Sequence, residues 1–499
     1  MGLLRKDRET GYMETLRQRF STLAGFFWAS WLTSIGSMLL VVSTILILIF
    51  LALHIYFAVF DRPVNPYFDL LGFMILPVFF VAGLALLLTG TVTRRRRARH
   101  APPEEAPQPL AGAAMRRRAT IFGTISLLGL IILGIFSYEG YHFTDSVHFC
   151  SDVCHAVMQP EATAYKRSPH ANVTCVSCHI GPGASWFVRS KLSGVRQVFA
   201  VLGKTYSRPI PTPVEDLRPA RETCEVCHWP AKFHGSRLVV KEHFGADQSN
   251  TPSYSALVLK VGGSPHPKGR ATGIHWHVDP RNAVRYRYTD EKRLKIVEVV
   301  QNTPEGEVRY LLEAADSTDA SGQWRTMDCI DCHNRPTHVF EMPETTVDEL
   351  LSSGRISPDI PFIRDEAVRA LRDLQPGHDT AVRVSAHLDS LYQADHPEAL
   401  DQLRQVLGPV ADDLAAILKR NIFPAMNVTW GAYTTHIGHM DAQGEMTEDG
   451  CFRCHDEQHV SAAGGTISQD CETCHALLAW DEKDISGLPD FVKDFLANP

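Results

Sequence analysis

Cys175-Val176-Ser177-Cys178-His179 is the stretch that decides the reading of this chain, because it recurs. Cys224/Cys227/His228, Cys329/Cys332/His333, Cys451/Cys454/His455 and Cys471/Cys474/His475 repeat its C-x-x-C-H spacing. A sixth copy, Cys150-Ser151-Asp152-Val153-Cys154-His155, carries one additional residue between the cysteines. The six copies together consume all twelve cysteines. C-x-x-C-H is the attachment signature of c-type haem. The two thiols add to the porphyrin vinyl groups, and the adjacent imidazole ligates the iron. One turn of chain must reach both vinyls and also face the metal, which fixes the spacing. Zinc sites use cysteine pairs too, but need no histidine directly after each second cysteine. A disulfide framework would space its cysteines irregularly, and a thioredoxin-like pair does not occur six times. The twelve cysteines are therefore expected to attach six haems. His155, His179, His228, His333, His455 and His475 are the expected proximal iron ligands.

Outward from the motifs, the 499 residues exceed what one compact core organises. Net charge is −7 and the isoelectric point about 6.4, so nothing points to nucleic acid. The first 140 residues are apolar and basic, and the remainder is polar and mildly acidic. Three stretches, about residues 26–60, 68–92 and 119–138, are long and apolar enough to cross a bilayer. The first is too long for a cleaved signal peptide and reads as a retained anchor. Arg5, Lys6, Arg8, Arg17 and Arg19 precede it, and Arg94–Arg97, Arg99 and Arg116–Arg118 follow the second stretch. The positive-inside rule puts both basic regions in the cytoplasm. Three crossings then put the haem motifs in the periplasm of a bacterial inner-membrane protein.

The expected fold class is a membrane-anchored α+β chain: three N-terminal transmembrane helices and a periplasmic multihaem domain with a small antiparallel sheet and a helical segment. The expected segments are a membrane anchor (1–140), a trihaem segment (141–235), a β-rich segment ending in the fourth haem site (236–345), a helical segment (346–425) and a C-terminal dihaem segment (426–499). Residues 101–112, rich in Pro and Ala, read as a cytoplasmic linker. Alternating or β-branched runs at 237–241, 256–261, 283–288, 294–300 and 308–312 read as strands. In residues 401–418, Leu403, Val406, Leu407, Val410, Leu414 and Leu418 recur at helical spacing. Pro358, Pro361, Pro376 and Pro397 divide that region into short helices, and Pro409 kinks the last.

Each low-spin haem takes a second axial ligand, most often His or Met. Seventeen of the 23 histidines lie outside the motifs. His170, His338, His436 and His275 or His277 are the first candidates, with His243, His439, His234 and His459 next. If residues 273–277 are extended, alternation sends His275 and His277 to one face. Met158, three residues after His155, is a candidate for the first haem. His378, His387 and His396 read as surface or packing residues.

The run from Cys150 to His228 resembles the NapC/NirT family of membrane-anchored multihaem quinol dehydrogenases. The resemblance rests on CSDVCHAVM, on Tyr165-Lys166-Arg167-Ser168-Pro169-His170, on CVSCHIGPGASWFVRSKLSG and on ETCEVCHWP. It implies that the first haem lies at the membrane face and takes electrons from menaquinol or ubiquinol. It also implies Met158 on the first iron, His170 on a neighbouring one, and Lys191 (with Lys204 as second choice) at the quinol. The chain departs from the family in the spacing of the first motif and in having three membrane stretches rather than one. It also has no Asp or Glu between His179 and Val214. Residues 186–206 mix apolar and basic residues as an interfacial helix does.

The function expected is a quinol-oxidising cytochrome, linking the quinone pool and lipid bilayer to periplasmic cytochromes or reductases through six haems. The alternative is a haem-bearing subunit of a larger complex, without a quinol site of its own. Either reading is compatible with a homo-oligomer.

Overall fold

The computed structural model describes residues 30–60, 68, 71–99, 112–153, 155–181, 184–214, 217–229, 235–262, 272–313 and 322–497. The N-terminal basic tail, most of the expected linker, Cys154 and His234 lie outside them. The chain divides into two compact units, Met1–Cys154 and His155–Pro499.

The first unit holds α1 (Trp31–Val59), α2 (Leu76–Arg99) and α3 (Gly112–Asp145). Each contains an apolar stretch of membrane-spanning length: Trp31–His54, Leu76–Thr93 and Leu127–Asp145. Ser30 caps α1 with a reciprocal capping box to Thr33. A π-helical turn, Leu71–Ile75, leads into α2. Bilayer lipid supplies no hydrophobic drive between helices, so small residues set how close they pack. A Cβ on Gly36 would lie 2.7 Å from the Leu87 amide nitrogen and 2.8 Å from the Gly83 carbonyl oxygen. One on Gly83 would lie 2.9 Å from the Leu40 nitrogen, so α1 and α2 touch backbone to backbone. Ile47, Phe50, Leu76, Phe80 and Phe136 form the unit's buried cluster. The third helix is longer than expected, taking in Gly112 and Arg116–Arg118 at one end and Asp145 at the other. A helix satisfies its own backbone, so it continues past its apolar part into polar surroundings.

The second unit begins with α4 (His155–Tyr165), α5 (Cys175–His179), α6 (Ala184–Gly203) and α7 (Ala220–Cys224). Eight strands follow: β1 (Arg237–Phe244), β2 (Pro252–Leu259), β3 (Arg285–Tyr288), β4 (Ile296–Thr303), β5 (Gly306–Leu312), β6 (Gln323–Thr326), β7 (His459–Ser461) and β8 (His475–Glu482). They form two antiparallel sheets, ordered β1-β2-β8 and β6-β3-β4-β5-β7, in place of the single small sheet expected. The five strands expected are all present. β6, β7 and β8 are the additions. β7 has only three residues, and β8, His-Ala-Leu-Leu-Ala-Trp-Asp-Glu, lacks a β-branched residue. Pairing with β5 and β2 decides both, since strand formation depends more on neighbours than on intrinsic preference.

Between β6 and β7 sits a helical bundle of α8 (Pro343–Ser352), α9 (Ile363–Asp373), α10 (Thr380–Asp395) and α11 (Pro397–Asn421). Pro397 stands at the first turn of α11, where its missing N–H costs nothing, and Lys419 and Arg420 meet the carbonyl end. Leu400, Leu403, Leu407, Val410, Leu414 and Leu418 bury one stripe of α11 against Val347, Ile363, Leu371, Leu388 and Tyr392. Phe244 of β1 joins this core, so the bundle packs onto the sheet region. A final helix, α12 (Asp490–Ala497), buries Val492 with Tyr254, Ala256 and Leu488.

Candidate haem sites

The motifs are short turns of helix. His228 N–H donates to the Cys224 carbonyl at 2.8 Å, His333 to Cys329 at 2.8 Å and His455 to Cys451 at 3.1 Å. Each bond joins residues four apart, which brings the first cysteine and the histidine to the same side of the turn. The first motif has an extra residue, and the chain answers with a wider turn: Phe149–Val153 is π-helical, with bonds five residues apart. Among the described residues no disulfide joins the cysteines.

Four motif histidines lie ring to ring with a histidine from elsewhere in the chain, and His333 has one nearby. Ring centroids are 6.2 Å apart for His179 and His338, and 5.9 Å for His228 and His170. They are 5.7 Å apart for His455 and His277, and 6.1 Å for His475 and His439. His333 has His275 and then His228 nearby: after burial, these two imidazoles hold it below its ordinary value. Two imidazoles sharing one metal through Nε2, with bonds of about 2 Å, have centroids about 6 Å apart. The four observed separations therefore fit one iron between each of those pairs.

The rings are also held the right way round. A ligating imidazole uses one nitrogen for the metal and donates from the other to a carbonyl or carboxylate, which fixes its orientation. His338 Nδ1 lies 3.1 Å from the Glu161 carbonyl oxygen, and His275 Nδ1 lies 3.0 Å from that of Val261. His277 Nδ1 lies 2.8 Å from the Ile274 carbonyl and His455 Nδ1 2.7 Å from that of Ser468. In each case Nδ1–H donates, and the Nε2 atoms of His277 and His455 face each other at 3.5 Å. Arg335 pairs with the Glu161 carboxylate at 2.9 Å, locking the segment that orients His338. Neither Glu161 nor Arg335 carries a signal in the sequence, since 174 residues separate them.

The sites neighbour one another in chain order. Burial, then Cys175 and Cys227, push the Cys178 thiol up, which sets the second motif beside the third. The Cys224 thiol hydrogen-bonds that of Cys329, raising the first and lowering the second, so the third motif adjoins the fourth. Burial and Cys451 raise Cys332 to about 12, and burial and Cys451 raise Cys474. The fourth, fifth and sixth motifs are thus contiguous. Thioether formation removes these thiol protons; what persists is the adjacency.

Residues 274–278 form a 3-10 helix, not the extended segment that would send both imidazoles to one face. Its tighter turn delivers His275 to His333 and His277 to His455, two separate sites. Three candidate ligands, His243, His436 and His459, meet no motif histidine among the described contacts. His243 Nδ1 lies 3.2 Å from the Asp348 carboxylate. His436 is buried and bonds the Asp331 main chain; burial, then Arg453, push it down to about 4. His459 is buried between Asp456 and the Ile296 carbonyl. Met158 lies half-buried on α4, and Lys191 half-buried on α6, while Lys204 is exposed. Of the first motif, Cys154 lies outside the described residues.

Residues 114–210 match the NapC/NirT cytochrome c family, N-terminal region. The cytochrome c-type protein ImcH of Geobacter sulfurreducens is 38% identical over 471 residues, covering 93% of this chain and 90% of that protein. This chain belongs to the NapC/NirT cytochrome c family. It is a membrane-anchored multihaem cytochrome that transfers electrons, and its cysteines bind c-type haem covalently. The similarity to ImcH runs far beyond the matched family region, through both sheets and the bundle. No solved structure matches the chain.

Proposed function

We propose that this cytochrome oxidises menaquinol or ubiquinol at the outer face of a bacterial inner membrane and passes the electrons through six haems to periplasmic cytochromes or reductases. The single observation that carries the reading is the set of facing His–His rings at the second, third, fifth and sixth motifs, with His275 near the fourth. A series of redox sites is useful when electrons join at one end and leave at the other, and a membrane anchor puts a lipid-soluble donor at the first end.

Bound haem supplies a one-electron centre at each site. The chain's residues do the rest. Cys150, Cys154, Cys175, Cys178, Cys224, Cys227, Cys329, Cys332, Cys451, Cys454, Cys471 and Cys474 fix six attachment points. His179 with His338, His228 with His170, His333 with His275, His455 with His277, and His475 with His439 hold five irons. His155 and Met158 serve the first. Carbonyls of Glu161, Val261, Ile274 and Ser468 keep four of these imidazoles from rotating. Bis-histidine ligation favours lower potentials than Met ligation, which suits low-potential quinol donors. Lys191 is the proposed quinol contact.

The test is menaquinol oxidation by the purified chain in lipid nanodiscs, followed through haem absorbance. The wild type should reduce its haems with menaquinol. Lys191→Ala should slow that step at least several-fold, while dithionite still reduces every haem. No reduction of the wild type by either quinol would overturn quinol oxidation. Wild-type rates in both Lys191→Ala and Lys204→Ala would remove the proposed contact and favour a subunit of a larger complex.

A further inference from the structure

Helix α6 (Ala184–Gly203) has two faces with opposite fates. Leu192, Val195, Phe199 and Leu202 stand three, seven and ten residues apart, a spacing that puts them on one stripe. All four are open to solvent, at 68%, 55%, 69% and 75% exposure. The opposite side holds Val201, which packs against Val157, Phe423, Met426 and Val428. The helix is therefore fixed to the protein by one face and presents four large apolar side chains on the other. Large apolar side chains aligned on an exposed stripe mark a surface with a partner.

The charge around the stripe says which partner. Arg189 and Arg196 flank it on one side and Lys191 on the other, and no Asp or Glu occurs between His179 and Val214. The Arg189 guanidinium lies 5.2 Å from the Trp186 ring centroid, one turn before the stripe and on the other side of the helix. An apolar stripe bordered by basic residues is the pattern of a helix lying in the headgroup layer of a membrane. A second copy of this chain would bring the same cations against these. The three apolar helices of membrane-spanning length mean that a bilayer is present wherever the protein works.

We propose that α6 docks on the anionic surface of the bilayer, its stripe inserted at the level of the acyl-chain boundary and its Arg189 and Arg196 side chains on lipid phosphates. Four residues separate α6 from the Cys175–His179 turn, so docking holds that haem site at headgroup level. The proposal stands on the helix itself and is independent of quinol oxidation.

Photocrosslinking of the full chain in nanodiscs tests it. Phe199→benzoylphenylalanine and Val195→benzoylphenylalanine would each be compared with Val382→benzoylphenylalanine, an exposed apolar position on α10. Intact mass first confirms that each variant carries the same haems as the wild type. Positions 195 and 199 are expected to attach to lipid, several-fold more in phosphatidylglycerol discs than in phosphatidylcholine discs, and position 382 is not. Attachment of 195 and 199 to a second copy, or to nothing, would overturn the proposal. Equal yields in the two lipids would overturn its anionic part. Hydrogen exchange of the unsubstituted protein is a second readout. Amides of residues 192–202 should exchange more slowly in phosphatidylglycerol discs. That difference should shrink near 1 M salt, where the Debye length is about 3 Å. Identical exchange in both lipids and at both salts would count against it as well.

Discussion

At the residue scale the chain spends its histidines in three ways. Some face a motif imidazole, some orient a neighbour, and some only pack. His338 is of the first kind, with Nδ1 held by the Glu161 carbonyl and its ring opposite His179. His338→Met should leave the haem attached through Cys175 and Cys178, because the thioethers do not depend on the distal ligand. The potential of that one site should rise, within the roughly 0.8 V that axial ligands span. A redox titration with intact-mass measurement checks both parts, and an unshifted titration would remove His338 from the iron. His396 is of the packing kind. It stacks on Phe362 at 3.8 Å and lies 3.4 Å from the fully buried Glu366 carboxylate, which also pairs with Arg369. Burial raises the Glu366 carboxyl above its ordinary value, with Arg369 and His396 pulling against it. The folded state therefore keeps this proton at pH values where the unfolded chain has released it. This group favours folding below the raised value, and that contribution is lost as pH rises through it. Glu366→Gln should show a shallower loss of Tm than the wild type from about pH 4.5 upward, read by far-UV circular dichroism. Parallel Tm curves would contradict the assignment.

At the element scale, packing rather than propensity sets the contacts. Gly83 lets α1 and α2 meet backbone to backbone, with 2.9 Å from its would-be Cβ to the Leu40 nitrogen. Gly83→Leu must separate the helices, and overpacking of this kind costs about 1–3 kcal/mol. The expected outcome is a lower yield of membrane-inserted, haem-loaded protein and a lower Tm in detergent. The conservative Gly83→Ala should fall between. The π-helical turn Phe149–Val153 shows the same logic in the first motif, where backbone geometry absorbs an added residue. The bundle of α8 to α11 carries no haem motif, and its aliphatic core supplies burial that haem contacts supply elsewhere.

At the scale of the whole molecule, two measurements bear on what the chain assembles. Intact mass should exceed the polypeptide by six haems; an excess of five would mean that the Cys150/Cys154 motif stays empty. A reporter active only in the periplasm should work when fused after Pro499 and fail when inserted in residues 101–112. The reverse result would invert the orientation read from the arginines. The sequence by itself determined the three apolar helices and the six Cys–His motifs from which the attachment points and proximal histidines are proposed. These are local: a covalent spacing, a run of apolar residues and a charge asymmetry each act within one turn or one span. Most strands and the stripe of α11 were legible for the same reason, since periodicity is a local property. Only the tertiary structure decided which distal histidine faces which motif. His170 with His228 and His277 with His455 are long-range pairings with no signature in local spacing. It alone turned residues 274–278 into a 3-10 helix that splits two histidines between two sites, and sent His243 to Asp348. It also divided the expected single sheet into two, because β8 and β7 acquire their identity from strands far away in the chain.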